Sequence, residues 1–167
     1  MIPQIKKILY ATDLSKNSSY AFLYATDMAR KHHAKIIILH AIDPVPPYAE
    51  AYAGMTVEMK EKQQKETVEE LKKHLQAFCR KAESQIGSPC AELVSKIRVP
   101  RGHPPEEILN AADEEGCDVI VLGTHGKGFL AHAFLGSVSS AVLHRTRKPV
   151  LIVPLPPEKS AMEWDGI

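Results

Sequence analysis

The chain has 167 residues, 44% hydrophobic and 25% charged, which suits one globular domain with a sizeable core and excludes disordered, collagenous or fibrous classes. Lys and Arg number 21 against 20 Asp and Glu; a formal net charge of +1 lends no support to nucleic-acid binding by bulk phosphate attraction. Cys79, Cys90 and Cys117 are an odd number without a CxxC pair, which speaks for a reducing compartment and against a disulfide framework or a four-ligand zinc site.

The opening MIPQIKKILYATDLS reaches Asp13 too soon for a secretory h-region, and no stretch approaches a membrane span, so a cytoplasmic protein that binds no membrane is expected. Apolar, β-branched runs of strand length occur at Ile5 to Tyr10, Lys35 to Ile42, Leu93 to Val99, Asp118 to Leu122 and Val150 to Val153. Between the first two, Ala21, Ala25, Met28 and Ala29 recur at helical spacing behind Ser15, a natural N-cap. Pro44 to Met55, with four prolines or glycines and two tyrosines, reads as an irregular flap. From Thr56 to about Ser84, Val68, Leu71, Leu75, Phe78 and Ala82 form one apolar stripe of a long helix with mixed charge elsewhere.

A third helix opens at Pro104-Pro105, carries Glu106 and Glu107 in its first turn, and meets Gly116 at its end. A fourth opens near Gly136-Ser137 and runs through Val142 to Arg145. Strands alternating with helices predict an α/β fold, a three-layer Rossmann-like sandwich around a parallel sheet, and the near-continuous runs Ile36 to Leu39 and Val119 to Leu122 fit strands covered on both faces. The expected domain spans 1–154, followed by a Pro-rich tail, 155–167.

Four of the nine glycines, Gly123, Gly126, Gly128 and Gly136, crowd the stretch after the fourth strand. Ligands in such sheets bind outside the carboxyl ends of the strands, and the helix start at Gly136, Ser137, Val138 and Ser139 offers unpaired N–H groups, partial positive charge and two hydroxyls to an anion. Gly123 would let the chain turn off the strand, Gly126 would let backbone approach a ligand, and Lys127 would add a charge. The bland reading is a flexible connection into a capped helix. GxxxxGK[ST] is missing and GTHGKG is not a dinucleotide fingerprint, so neither a Walker-type cradle nor a dinucleotide enzyme is expected.

Gly123-x2-Gly126-x9-Gly136-Ser137, followed by Lys148-Pro149-Val150-Leu151-Ile152-Val153, resembles the ATP-binding signature of the universal stress protein family. Lys6 to Ser15, Leu39 to Asp43 and Arg101 to Leu109 resemble further segments of that family, in order, so the likeness runs from Lys6 to Pro154. It implies a five-stranded parallel sheet ordered 3-2-1-4-5 with ATP between the first and fourth strands. The backbone around Ala11, Thr12 and Ala41 would then frame the adenine, and Asp13 would contact the ribose or, through water, Mg2+ on the phosphates. Leu122 and Gly123 would line the ribose; Gly126, Lys127, Gly136, Ser137, Val138 and Ser139 would hold the phosphates. Ala11 departs from the proline frequent in nucleotide-binding members. The resemblance also implies a homodimer through Val150 to Val153, a strand whose position at the sheet edge invites a second copy.

Other polar residues have plainer readings. His125 either touches a phosphate or bonds its own loop, His32 and His33 complement a helix C-terminus, and His40 is a satisfied core histidine. Asp13 could equally organise the turn into the first helix. The expected function is an ATP-binding, nucleotide-dependent stress-response module with an unidentified protein partner. The rival is a slow ATPase or self-phosphorylating protein with Ser137 or Ser139 as acceptor; a third reading is a dimer whose pocket is vestigial or holds AMP.

Overall fold

The computed structural model describes residues 1–52, 54–124 and 135–154, apart from the side chains of Lys16 and Glu50. Its strands are β1 (Lys7–Ala11), β2 (Lys35–Leu39), β3 (Val94–Arg98), β4 (Val119–Gly123) and β5 (Val150–Val153). The helices are α1 (Lys16–His32), α2 (Pro47–Tyr52), α3 (Val57–Ile86), α4 (Cys90–Leu93), α5 (Pro104–Glu114) and α6 (Ser137–Arg145). All five strands pair in parallel in the order β3-β2-β1-β4-β5, the expected topology.

Strand side chains alternate between two faces, and each face has its own core. Ile8, Tyr10, Ile36, Ile38, Val119 and Val121 pack with Phe22 of α1 and Leu75 and Phe78 of α3. Leu9, Ala11, Ile37, Leu39, Ile120 and Leu122 pack with Ile108 and Ala111 of α5 and Val142 of α6. Alanines at 21, 25 and 29, all fully buried, give α1 a flat face that can lie close on the sheet. Its start is fixed as expected: the Ser15 side chain accepts from the Ser18 N–H. Thr56 caps α3 in the same way through Met59 N.

The burial of α3 is uneven. Leu71, Leu75, Phe78, Cys79, Ala82 and Ile86 are buried, none of them ahead of Leu71, while Val57 and Met59 near its start are exposed.

Three expectations are corrected. Pro44 to Met55 is not wholly irregular, because Pro47 occupies a first helical position, where no N–H is needed, and α2 follows with Tyr48 and Tyr52 exposed. β2 stops at Leu39, after which a single bridge, Ile42 to Arg101, continues the line. Cys79 and Cys90 form a disulfide with Cα atoms 5.7 Å apart: left-handed Gly87 ends α3, and the chain turns back through Pro89 so that Cys90, opening α4, returns beside Cys79. Cys117 stays a thiol, and burial pushes it up to about 11. Among the described residues, no helix is long and apolar enough to cross a membrane.

Candidate functional site

In this strand order the chain leaves β1 toward β2 but leaves β4 toward β5, on the other side. This reversal of direction between β1 and β4 is the place where such sheets open a crevice at the carboxyl ends of their strands. Ala11, Thr12 and Asp13 stand on one side of it; Leu122, Gly123 and the first turn of α6 stand on the other.

The β1–α1 turn is held by buried hydroxyls. Thr12 Oγ1 lies 2.8 Å from Ser18 Oγ and accepts the Leu14 N–H at 3.0 Å. Tyr10 donates its phenol to the Ser18 carbonyl at 2.6 Å, and its burial raises the phenol above the usual range, keeping it a neutral donor. These bonds support Leu14 at a left-handed φ of 69°, uncommon for a residue with a branched side chain. Asp13 Oδ1 accepts the Ser15 N–H at 3.0 Å, so this carboxylate does organise the turn.

Thr12 N donates to Leu39 O at 2.9 Å, and Thr12 O accepts from the His40 ring Nδ1 at 2.8 Å. His40 lies beyond β2, half-buried at the crevice, and is not a core strand residue. His40 N and Ile42 N donate to Arg98 O and Pro100 O, on the β3 side. Alternation of backbone direction turns the intervening Ala41 N–H toward β1, and among the described residues it has no hydrogen-bond partner.

Across the crevice, Gly136 N donates to Thr124 O at 2.7 Å, bringing the start of α6 to the end of β4. Gly136 is the N-cap, at φ −66° and ψ 163°, and has no side chain with which to cap the first-turn N–H groups. Ser137 is exposed, whereas Ser139 is buried and its Oγ donates to Gly123 O at 2.6 Å. The two hydroxyls thus differ: that of Ser139 ties α6 to the end of β4. Val138 and Ala41 both pack on the α5/α6 core. His125, Gly126 and Lys127 lie outside the described residues.

Gly123 does not turn the chain off the strand. It ends β4, and its lack of a side chain matters because a Cβ there would lie 2.7 Å from Asn17 Oδ1. Asn17, 3% exposed, donates from Nδ2 to Val153 O at 3.3 Å and accepts from Thr124 Oγ1 at 3.3 Å. Sequence reasoning passed over it, because an Asn in the first turn of a helix looks like surface. Among the described residues no group of three or more His, Cys, Asp or Glu could hold a metal.

A model of the universal stress protein family matches residues 4–154. Universal stress protein MJ0577 of Methanocaldococcus jannaschii is 31% identical over 157 residues, covering 89% of this chain and 94% of that protein. A universal stress protein of Thermus aquaticus, encoded in the QAH/OAS sulfhydrylase 3' region, is 35% identical over 156 residues, covering 89% and 98%. The solved structure of MJ0577 superposes with a TM-score of 0.72 at 30% identity, covering 93% of this chain and all of that one. A universal stress protein in complex with cAMP superposes at 0.58 with 26% identity, over 90% and 98%. Fold, strand order and sequence agree: the chain belongs to the universal stress protein family.

Proposed function

We propose that the chain is a nucleotide-dependent stress-response module that binds ATP with Mg2+ in the crevice between β1 and β4. One observation carries the reading: the α6 N-terminus, with a glycine as its N-cap, is held against the end of β4 through Gly136 N and Thr124 O. First-turn N–H groups and the exposed Ser137 hydroxyl would take the phosphates, with Val138 and Ser139 contributing backbone. Gly126 and Lys127, which lie between β4 and α6 in the sequence, are proposed as further partners. The unpaired Ala41 N–H would meet the base beside Ala11 and Thr12, and Leu122 and Gly123 would flank the ribose. The relative in complex with cAMP supports an adenine nucleotide.

Mg2+ keeps several waters and is usually bound through one or two carboxylates and substrate phosphates, so a single carboxylate, Asp13, at the mouth of a phosphate site fits it. Bound there, the ion would neutralise phosphate charge; Asp13 would hold its waters.

Titration calorimetry on wild type and Gly136→Val tests the site. Gly136 adopts dihedrals open to any residue, so valine should fold there while its branches obstruct the phosphates. Lost binding in a variant that still unfolds cooperatively, its melt lowered by no more than a helix cap costs, is expected, and unchanged affinity in that folded variant would overturn the assignment.

A further inference from the structure

We infer that His40 is a positioning residue of this crevice: by donating its Nδ1–H to the Thr12 carbonyl it fixes the turn carrying Asp13 and keeps the Ala41 N–H available to a ligand. The inference rests on the adenine-nucleotide reading and extends it to a side chain that touches no ligand.

A carbonyl oxygen can only accept, so the proton in this 2.8 Å contact belongs to Nδ1, and the neutral ring carries its lone pair on Nε2. The place of the contact matters. Thr12 N–H donates to Leu39 O, so the next rung of a parallel β1–β2 ladder would pair the Thr12 carbonyl with the Ala41 N–H. The His40 ring occupies that carbonyl instead. Without the ring, Thr12 O and Ala41 N–H are free to close on each other, extending the ladder by one rung and consuming the donor that faces the crevice. Thr12 is also bound on its other side, through Oγ1 to Ser18 and Leu14, so a ring bond at its carbonyl leaves the residue little freedom to shift Asp13.

Asn offers an amide nitrogen near the position of Nδ1, whereas Ala offers none. His40→Ala is expected to raise the Kd for ATP with magnesium about tenfold, the scale of one lost hydrogen bond with its consequences, and His40→Asn to return it to within about threefold of wild type. A ligand-free readout accompanies these. Long-range 1H–15N spectra of the neutral ring should show Nδ1 protonated and Nε2 bare. Equal affinity in wild type and His40→Ala, an Asn variant no better than the Ala variant, or a ring protonated on Nε2 would each overturn the inference. A wild type that binds no nucleotide would instead overturn the functional reading on which it rests, while the spectrum still decides the His40–Thr12 bond.

Discussion

Asn17 and Gly123 are 106 positions apart, yet a single methyl group on Gly123 would lie 2.7 Å from the Asn17 amide oxygen. The amide is fixed by bonds to Val153 and Thr124, so it has little room to retreat. Gly123→Ala is therefore expected to destabilise the fold by about 1–3 kcal/mol, the range for an overpacked site. Adding Asn17→Ala should recover part of that loss, because the two changes share one contact. Urea unfolding of both variants and the double variant checks the coupling; strictly additive losses would show that the close approach does not set the cost.

Ser137 is the exposed hydroxyl at the start of α6 and Ser139 the buried one. Ser137→Ala is expected to weaken ATP binding by about 1.5–3 kcal/mol, the worth of a hydrogen bond to a charged group, with no change in thermal stability. Ser139→Ala is expected to lower stability by about 1 kcal/mol through its bond to Gly123 O, which calorimetry and melts on the pair would separate.

Turnover should be slow. Asp13 gives Oδ1 to the Ser15 N–H and, in the proposed site, would turn to the waters of Mg2+, while Ser139 donates to a carbonyl, so neither is left as a dedicated general base. Phosphate release assays should give a kcat below about 1 s⁻¹, under the ordinary enzyme range, and a faster rate would favour the ATPase reading.

The proposed homodimer uses the edge strand β5. Val153 is buried in its own subunit and Leu151 packs on the α1/α3 core, so lysine at either would disturb the monomer. Ile152 is only half-buried and belongs to neither core cluster, which makes Ile152→Lys the cleaner probe. Light scattering should show a dimeric wild type and a folded, monomeric variant.

Reduction should loosen the α3–α4 corner. The disulfide closes a short loop, 11 positions between cysteines, and its loss is expected to cost about 2–3 kcal/mol. Melting with and without a thiol reductant checks this, as does thiol titration of the denatured protein. One reactive thiol in three is expected, and three would exclude the bond.

The strands and long helices were legible because their signals are local: β-branched runs, the alanine face of α1, the Ser15 cap, and a long helix read from Thr56, which the structure makes its cap. Sheet order was not legible in the residues themselves and came from the family likeness. Asn17, His40 and the Cys79–Cys90 bond escaped for one shared reason. Each owes its role to a chain segment that returns from elsewhere: the ends of β4 and β5 over Asn17, the turn after β1 beside His40, and the reversal at Gly87 before Cys90. The short α2 escaped because two prolines in a row of loop residues forbid a strand more clearly than they announce a helix.

Helix α3, about 45 Å long at 1.5 Å per residue, is anchored at only one end. Its second half shares the core and the disulfide, so it can open only when much of the domain does. The turns ahead of Val68 have no buried side chain and rely mainly on backbone bonds and the Thr56 cap, which alone sustain a helix only marginally in water. Amide exchange along this one element should therefore form a gradient, rapid near Met59 and slowing to the global rate by Phe78, and a protease should nick the helix ahead of Leu71 while the sheet stays intact.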